Sequence, residues 1–283
     1  MPHSSEPLSF AALRNQLVVS GELLAETALR IGAGRAGDAT GADLPVLRDA
    51  LGRPFIPGAS LKGALRARLE GLIRAVAPGQ ALDLEQIERR TREQVRPLRE
   101  RARDDAELSR AIWQMSTMID LTFGSPELAG RLFVKDAQLA GERWAGRHEV
   151  RNGVAINRDT ETAEEGLLYS YEVAPAGTRF EFELALENAD PWQLGMLLLA
   201  LKPWERGEVA IGGFRSRGLG RVRLLTRARR YCEIDSVDAI VDLLAGGIAR
   251  AGRDVSEQQE REWIGAFRDR LAGLAPAAEV SDA

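Results

Sequence analysis

Hydrophobic positions along the chain switch between two periods, and the switches mark out an α+β protein. From Leu13 to Ala25 the pattern alternates, with Leu17, Val19 and Leu23 on one face and Arg14, Gln16 and Glu22 on the other. That is the pattern of a half-buried strand. A loop rich in Gly and Asp (31–43) leads through 44–49 to a turn at 51–54. Leu61, Leu65, Leu69 and Ile73 then recur every four residues, which predicts a helix from Ser60, as N-cap, to about Val76. Residues 82–110 are dense in Arg and Glu and predict exposed helix with charges pairing four apart. Arg89, Arg90, Arg92, Arg96, Arg99, Arg101 and Arg103 fall there on a solvated face.

A short buried helix over 112–121 precedes a strand at 131–139, and 144–175 has strand-like ends around a polar centre, as in a protruding hairpin. Phe180, Phe182, Leu184 and Leu186 alternate with Arg179, Glu181 and Glu183, the clearest strand in the chain. Pro191 opens a largely apolar helix to Trp204, and a last strand covers 219–226. The order β (15–25), α (60–76), β (131–139), β (178–187), α (191–204), β (219–226) is the split βαβ, or ferredoxin-like, order also used by RNA-recognition motifs. Residues 1–230 therefore form one expected ferredoxin-like domain, with insertions at 78–125 and 144–175. Residues 231–283 form a helical extension, with helices near 237–244 and 256–273. The second of these starts on the capping box Ser256-Glu-Gln-Gln259.

Composition narrows the class. The chain has 283 residues, 45% hydrophobic and 28% charged, as in a soluble globular protein. Its longest apolar run, 194–201, is far short of the roughly 20 residues of a membrane span. No secretory leader is expected from the first residues, and one cysteine, Cys232, excludes an internal disulfide and suits a reducing cytoplasm. The formal net charge is -4, but eight arginines against Glu208 alone give residues 206–230 a local balance of +7. A basic stripe of that kind, beside an acidic tail, can bind nucleic acid even when the total is negative.

The stripe contains Ile211-Gly-Gly-Phe-Arg-Ser-Arg-Gly-Leu-Gly-Arg221, where four glycines and three arginines share eleven positions. Gly lets backbone N–H groups approach a ligand, and Arg recognises phosphate through paired hydrogen bonds. A tight turn with solvated arginines accounts for the same string. Lys62 and Arg66 share a helix face just inside a helix N-terminus, where free N–H groups favour an anion, and could flank the same phosphates as Arg215 and Arg217. Asp38, Asp43 and Asp49 are candidates for a hard divalent cation. An Asp in a Gly-rich loop also forms turns by bonding its own backbone. Asp38 and Asp49 read as turn formers, and Asp43 stands level between the two roles. The two histidines, His3 and His148, form no metal motif, and no hydrolase or nucleotide-binding fingerprint occurs.

Several stretches together resemble the RAMP superfamily of CRISPR proteins. Phe55-Ile-Pro-Gly-Ala-Ser-Leu-Lys-Gly-Ala-Leu-Arg66 and the 211–222 segment look like its two signature segments. The stretches 29–32, 42–46, 121–124, 130–136, 157–160 and 172–180 narrow the likeness to the repeated backbone subunit of type III effector complexes. The resemblance covers roughly residues 13–226. It implies a modified RNA-recognition core that assembles head to tail along a CRISPR guide RNA, with the 144–175 hairpin as a thumb that kinks the guide–target duplex. It also implies RNA-backbone roles for Ser60, Lys62, Arg66, Gly212, Gly213, Arg215, Arg217, Gly218, Gly220, Arg221 and Arg158. Asp43 matches the family's cleaving residue, which acts on target RNA with Mg²⁺ or Mn²⁺. Implied partners are guide RNA, target RNA, further copies of the chain and other effector subunits (large, small and RAMP), with no membrane. Family members often carry His at the position of Arg30, and Ser-Ser or Gly-Ser in place of Ala59-Ser60. A non-cleaving scaffold or capping subunit, and a guide-processing endoribonuclease relying on His148, are the alternatives.

Overall fold

The computed structural model describes residues 12–34, 42–141, 144, 146, 148–156, 161 and 163–275. Asp38 and Arg158 lie outside the described residues. Alternation in the first segment produces strand β1 (Asn15–Ala25), with Leu17, Val19 and Leu23 fully buried. The four-residue leucine repeat produces helix α1 (Gly58–Val76), whose buried stripe is Leu61, Leu65, Leu69 and Ile73. Helix α1 starts two residues earlier than its expected cap. Pro57 takes the cap position, and the Gly58 N–H donates to the Asp136 carboxylate at 2.7 Å. Ser60 is therefore in the first turn, not the N-cap.

The first insertion is helical: α2 (Leu84–Arg90), a π-turn at Thr91–Val95, α3 (Arg96–Arg101), α4 (Asp105–Met115) and α5 (Met118–Phe123). It is not uniformly solvated. Arg90 is buried, and its guanidinium sits 2.7 Å from the buried Asp120 carboxylate. Asp120 also accepts the Thr117 N–H in a capping box, so the buried acid is satisfied from two sides. A charge-rich sequence hides one buried pair among many exposed ones, because periodicity does not mark a lone inward arginine.

Strand β2 (Leu132–Val134) is the regular part of the expected 131–139 strand; the pairing with the segment 179–187 is interrupted at 135–137, where Ala137 bridges Ile56, and resumes at Leu139 opposite Phe180. The second insertion is the expected hairpin, β3 (Glu149–Ile156) paired antiparallel with β4 (Ala163–Val173). Strand β5 (Arg179–Glu187) and helix α6 (Pro191–Glu205) follow, α6 opening on an Asp190–Gln193 capping box. The last strands are β6 (Val209–Ala210) and β7 (Arg221–Glu233), then α7 (Val237–Ala251), β8 (Arg253–Asp254) and α8 (Glu257–Ala272). The main sheet is antiparallel throughout, in the order β2-β5-β1-β7-β6, with β8 on the far end of β7.

Helices α1, α6 and α8 bury one face of this sheet in a single core that includes Phe180, Phe182, Leu224, Trp204 and Trp263. Strand β7 runs past the boundary drawn at 230, and α8 belongs to the main core. Gly195 on α6 makes room for α8: a Cβ there would lie 2.0 Å from the Trp263 carbonyl oxygen. The opposite face of the sheet carries a grid of ion pairs, among them Arg179–Glu22, Arg227–Glu22, Arg227–Glu181 and Lys135–Glu183. No helix among the described residues is long and apolar enough to cross a membrane.

Candidate nucleic-acid interface

The glycine–arginine loop joins β6 to β7 and folds back on the segment after β1. Gly213 donates its N–H to the Arg30 carbonyl at 2.9 Å, and Gly220 donates to Ala28 at 2.9 Å. Gly212 has a φ of 77° and lies so close to this segment that a Cβ would sit 2.2 Å from the Arg30 carbonyl oxygen. Only glycine meets both conditions without strain. The glycine N–H groups were expected to face a ligand. Those of Gly213, Gly218 and Gly220 instead bond the chain's own carbonyls. The glycines shape the loop, and the arginines are left to meet a partner.

Between the glycines, Phe214 takes the left-handed conformation and Arg215–Arg217 make one 3₁₀ turn. Two guanidinium groups lie against the Phe214 ring, Arg30 at 5.2 Å and Arg217 at 5.0 Å from its centroid. Burial holds the Arg30 guanidinium below its ordinary pKa. Tyr171 meets Phe214 edge-on at 4.8 Å, and Tyr169 lies 6.5 Å away. Arg217 donates a hydrogen bond to the Tyr169 hydroxyl.

The basic stripe is smaller than its sequence. Glu208 pairs with Arg206, Glu26 with Arg223, Glu22 and Glu181 with Arg227, and Glu205 and Glu260 with Arg229. Arg230 lies 3.7 Å from Asp254. Of these acids only Glu208 lies within 206–230; Glu205 stands just outside it, and Glu22, Glu26, Glu181, Asp254 and Glu260 arrive from other segments. Among the described residues, Arg215, Arg217 and Arg221 make no ion pair. Arg221 still donates from Nε to the Gly207 carbonyl at 2.7 Å and interacts with Glu208, so Arg215 and Arg217 carry the least compensated charge of the loop.

Asp43 comes to the same place from the opposite side of β4. Its Oδ2 accepts the Ser170 N–H at 2.6 Å and the Ser170 hydroxyl at 3.0 Å. Leu44 then pairs parallel with Tyr171, so the Asp43 segment runs as a short strand along the β4 edge. Two residues on, Glu172 holds the same segment through Arg48 at 2.6 Å and the Val46 N–H at 3.2 Å. Burial pushes the Glu172 carboxyl up, but Arg48 and the Val46 N–H bind the anion and hold its pKa below 4.5. Asp49 is a turn former, accepting from the Leu51 and Arg53 N–H groups. His148 lies beside Arg48 and Glu172; burial first, and Arg48 second, lower its pKa, against an opposing pull from Glu172.

Ser60, Lys62 and Arg66 lie elsewhere. Lys62 donates to the Leu132 carbonyl at 2.8 Å, and Arg66 to the Gly124 carbonyl at 2.9 Å and to Glu70 at 2.7 Å. Leu132 is in β2, three strand spacings from β7 and so roughly 14 Å across the sheet. The helix start and the loop are therefore not two halves of one clamp on the same phosphates, and Asp136 already occupies the first N–H of the helix.

The sequence profile of the RAMP superfamily matches residues 22–223, from the middle of β1 into β7. The chain belongs to the RAMP superfamily. Both the Asp43 segment and the glycine–arginine loop lie inside the matched span; α7 and α8 lie outside it. A protein of Methanocaldococcus jannaschii named CRISPR system Cms endoribonuclease Csm3 is 26% identical over 236 residues, covering 78% of this chain and 85% of that relative. A protein of the same name from Methanothermobacter thermautotrophicus is 42% identical over 55 residues, 19% of this chain and 22% of its own. Asp43 and the loop arginines stand out by residue type; Tyr169 and Ser170, which touch them, do not, and Phe214 stands in the loop segment without a role marked for it. The signal was present in the alternation Tyr169-Ser170-Tyr171-Glu172, which places two aromatics on one face of a strand and two polar groups on the other.

Proposed function

We propose that the chain is a backbone subunit of a type III CRISPR interference complex, holding guide RNA and cleaving the paired target RNA at Asp43. One observation supports this reading: the Asp43 carboxylate and the Arg217 guanidinium of the loop are bonded to consecutive residues of strand β4, Ser170 and Tyr169. The relatives' printed name, endoribonuclease, supports it, and so does the antiparallel order β2-β5-β1-β7, which supports the ferredoxin-like reading of the core. Further copies of the chain and other effector subunits are the partners of such a complex. In this reading Arg215, Arg217 and Arg221 bind guide phosphates, which gives affinity without sequence choice, and base pairing to the guide supplies the choice. The hairpin β3–β4 stands beside the target, where a displaced nucleotide turns its 2′-OH toward the adjacent phosphodiester.

Asp43 then acts on that hydroxyl. Its carboxylate accepts the 2′-OH proton, the oxygen attacks phosphorus, and the bond to the 5′ oxygen breaks. Asp43 offers one hard oxygen donor, and the described residues contain no cluster of three or more His, Cys, Asp or Glu able to hold a metal. A Mg²⁺ or Mn²⁺ ion therefore fits only if phosphate oxygens and water complete its shell. Bound there, such an ion would supply Lewis acidity at the scissile phosphate. The test is co-purification of the assembled complex followed by target cleavage. RNA of regular length and Asp43-dependent cutting support the proposal; cutting that is indifferent to Asp43→Ala leaves a non-cleaving scaffold subunit.

A further inference from the structure

Strand β4 presents two faces at the interface, and consecutive residues serve them. Tyr169 turns toward the loop, its hydroxyl receiving the Arg217 guanidinium and its ring lying 6.1 Å from Tyr171. The ring also crosses Gly153 on β3, where a Cβ would meet it at 2.2 Å. Ser170 turns the other way. Its N–H and hydroxyl both donate to Asp43 Oδ2, while its hydroxyl oxygen accepts the Asp43 N–H at 3.1 Å. Three hydrogen bonds between one serine and one aspartate fix both the backbone and the carboxylate of Asp43. A single peptide unit thus separates the group that grips the loop from the group that aims the carboxylate.

We propose that Tyr169 and Ser170 are positioning residues of the cleavage site, through which the RNA-holding loop sets the aim of the Asp43 carboxylate. The proposal rests on the cleavage role of Asp43. Ser170 acts on Asp43 directly, and Tyr169 acts by tying β4 to Arg217. The consequence is a link between holding and cutting. When the loop is seated on guide phosphates, β4 is held in one place, and Asp43 is presented to the target in a fixed direction. Positioning of this kind raises the rate of the bound complex more than it raises affinity.

The test uses the assembled, guide-loaded complex and measures kcat and KM for target cleavage in Tyr169→Phe, Ser170→Ala and Ser170→Thr. Tyr169→Phe removes only the hydroxyl and keeps the ring over Gly153, so the hairpin retains its packing. Loss of one hydrogen bond predicts a fall in kcat of about 3- to 10-fold for Tyr169→Phe with KM and guide retention unchanged. Ser170→Ala falls further, and Ser170→Thr, which restores the hydroxyl, recovers most of the loss. Values of kcat within about twofold of the unsubstituted complex in both Tyr169→Phe and Ser170→Ala would overturn the inference. So would loss of guide retention in parallel with kcat, which marks a structural role. If Asp43→Ala abolishes cleavage while these variants cut normally, the function stands and this inference alone falls. If Asp43→Ala also cuts normally, the cleavage reading itself has failed.

Discussion

The Asp43 carboxylate and the Arg217 guanidinium are bonded to consecutive residues of one strand, Ser170 and Tyr169. They come from segments more than 170 positions apart, and neither segment's sequence names the other. Their meeting point is the inner end of the β3–β4 hairpin. The hairpin is thus more than a protrusion, because its base joins the charge that would hold RNA to the acid that would cut it.

Loop arginines should matter for RNA out of proportion to their number. Arg215→Ala, Arg217→Ala or Arg221→Ala should each weaken binding to single-stranded RNA and lower the slope of log K against log salt by about 0.7. Arg227→Ala should do much less, since Glu22 and Glu181 already neutralise that side chain. Titration at several salt concentrations distinguishes the two groups. Equal effects from Arg217 and Arg227 would contradict the assignment.

The glycines offer a cleaner separation of shape from contact. Gly212→Ala forces a methyl against the Arg30 carbonyl at a φ of 77° and should cost about 1–3 kcal/mol of local stability. Gly218→Ala has a φ of 83° but open space around it, so it should cost only about 1–2 kcal/mol from the backbone alone. Thermal denaturation with RNA binding measured alongside should show Gly212→Ala as the more damaging of the two.

The C-terminal helix should behave as core. Trp263 is buried against Tyr231, with the rings edge-on at 5.0 Å. Trp263→Ala should cost about 3–5 kcal/mol in denaturant unfolding. A loss under about 1 kcal/mol would mean that α8 is dispensable packing.

Acid should release the Asp43 segment before it unfolds the sheet. Glu172 has a folded pKa held below its unfolded value of 4.5. Its contribution is therefore present above that value and lost as pH falls through the lower folded value. Hydrogen exchange at residues 44–48 should accelerate below about pH 4 while β1 and β5 stay protected. Glu172→Gln should bring the same acceleration to neutral pH.

Much of this architecture was legible in the sequence because burial leaves a period. Strands β1 and β5 and helix α1 each carry a clean alternation or a four-residue repeat, so their positions follow from patterning. Arg90 and the break in the β2 pairing were not legible: one buried arginine has no period, and the break comes where Ala137 pairs with Ile56 before Leu139 returns to Phe180 of β5. At the interface, residue type picked out Asp43 and the loop arginines, but not which arginines stay unneutralised. That depends on Glu22, Glu26, Glu181, Glu205 and Glu260, which reach the stripe only through the fold. The expected clamp between the Ser60–Arg66 helix start and the loop failed for a similar reason. Strand order puts β2 and β7 apart, and strand order is not written locally.

The most direct measurement is target-RNA cleavage by the assembled, guide-loaded complex carrying Asp43→Asn. Asparagine keeps one oxygen acceptor for Ser170, so the segment stays docked along β4, and it replaces the other carboxylate oxygen with an amide NH2, which removes the charge and the proton-accepting capacity. Guide retention and target binding should be unchanged, with cleavage reduced by about 100-fold or more. Cleavage at the parental rate, with binding intact, would contradict a cleaving role for Asp43.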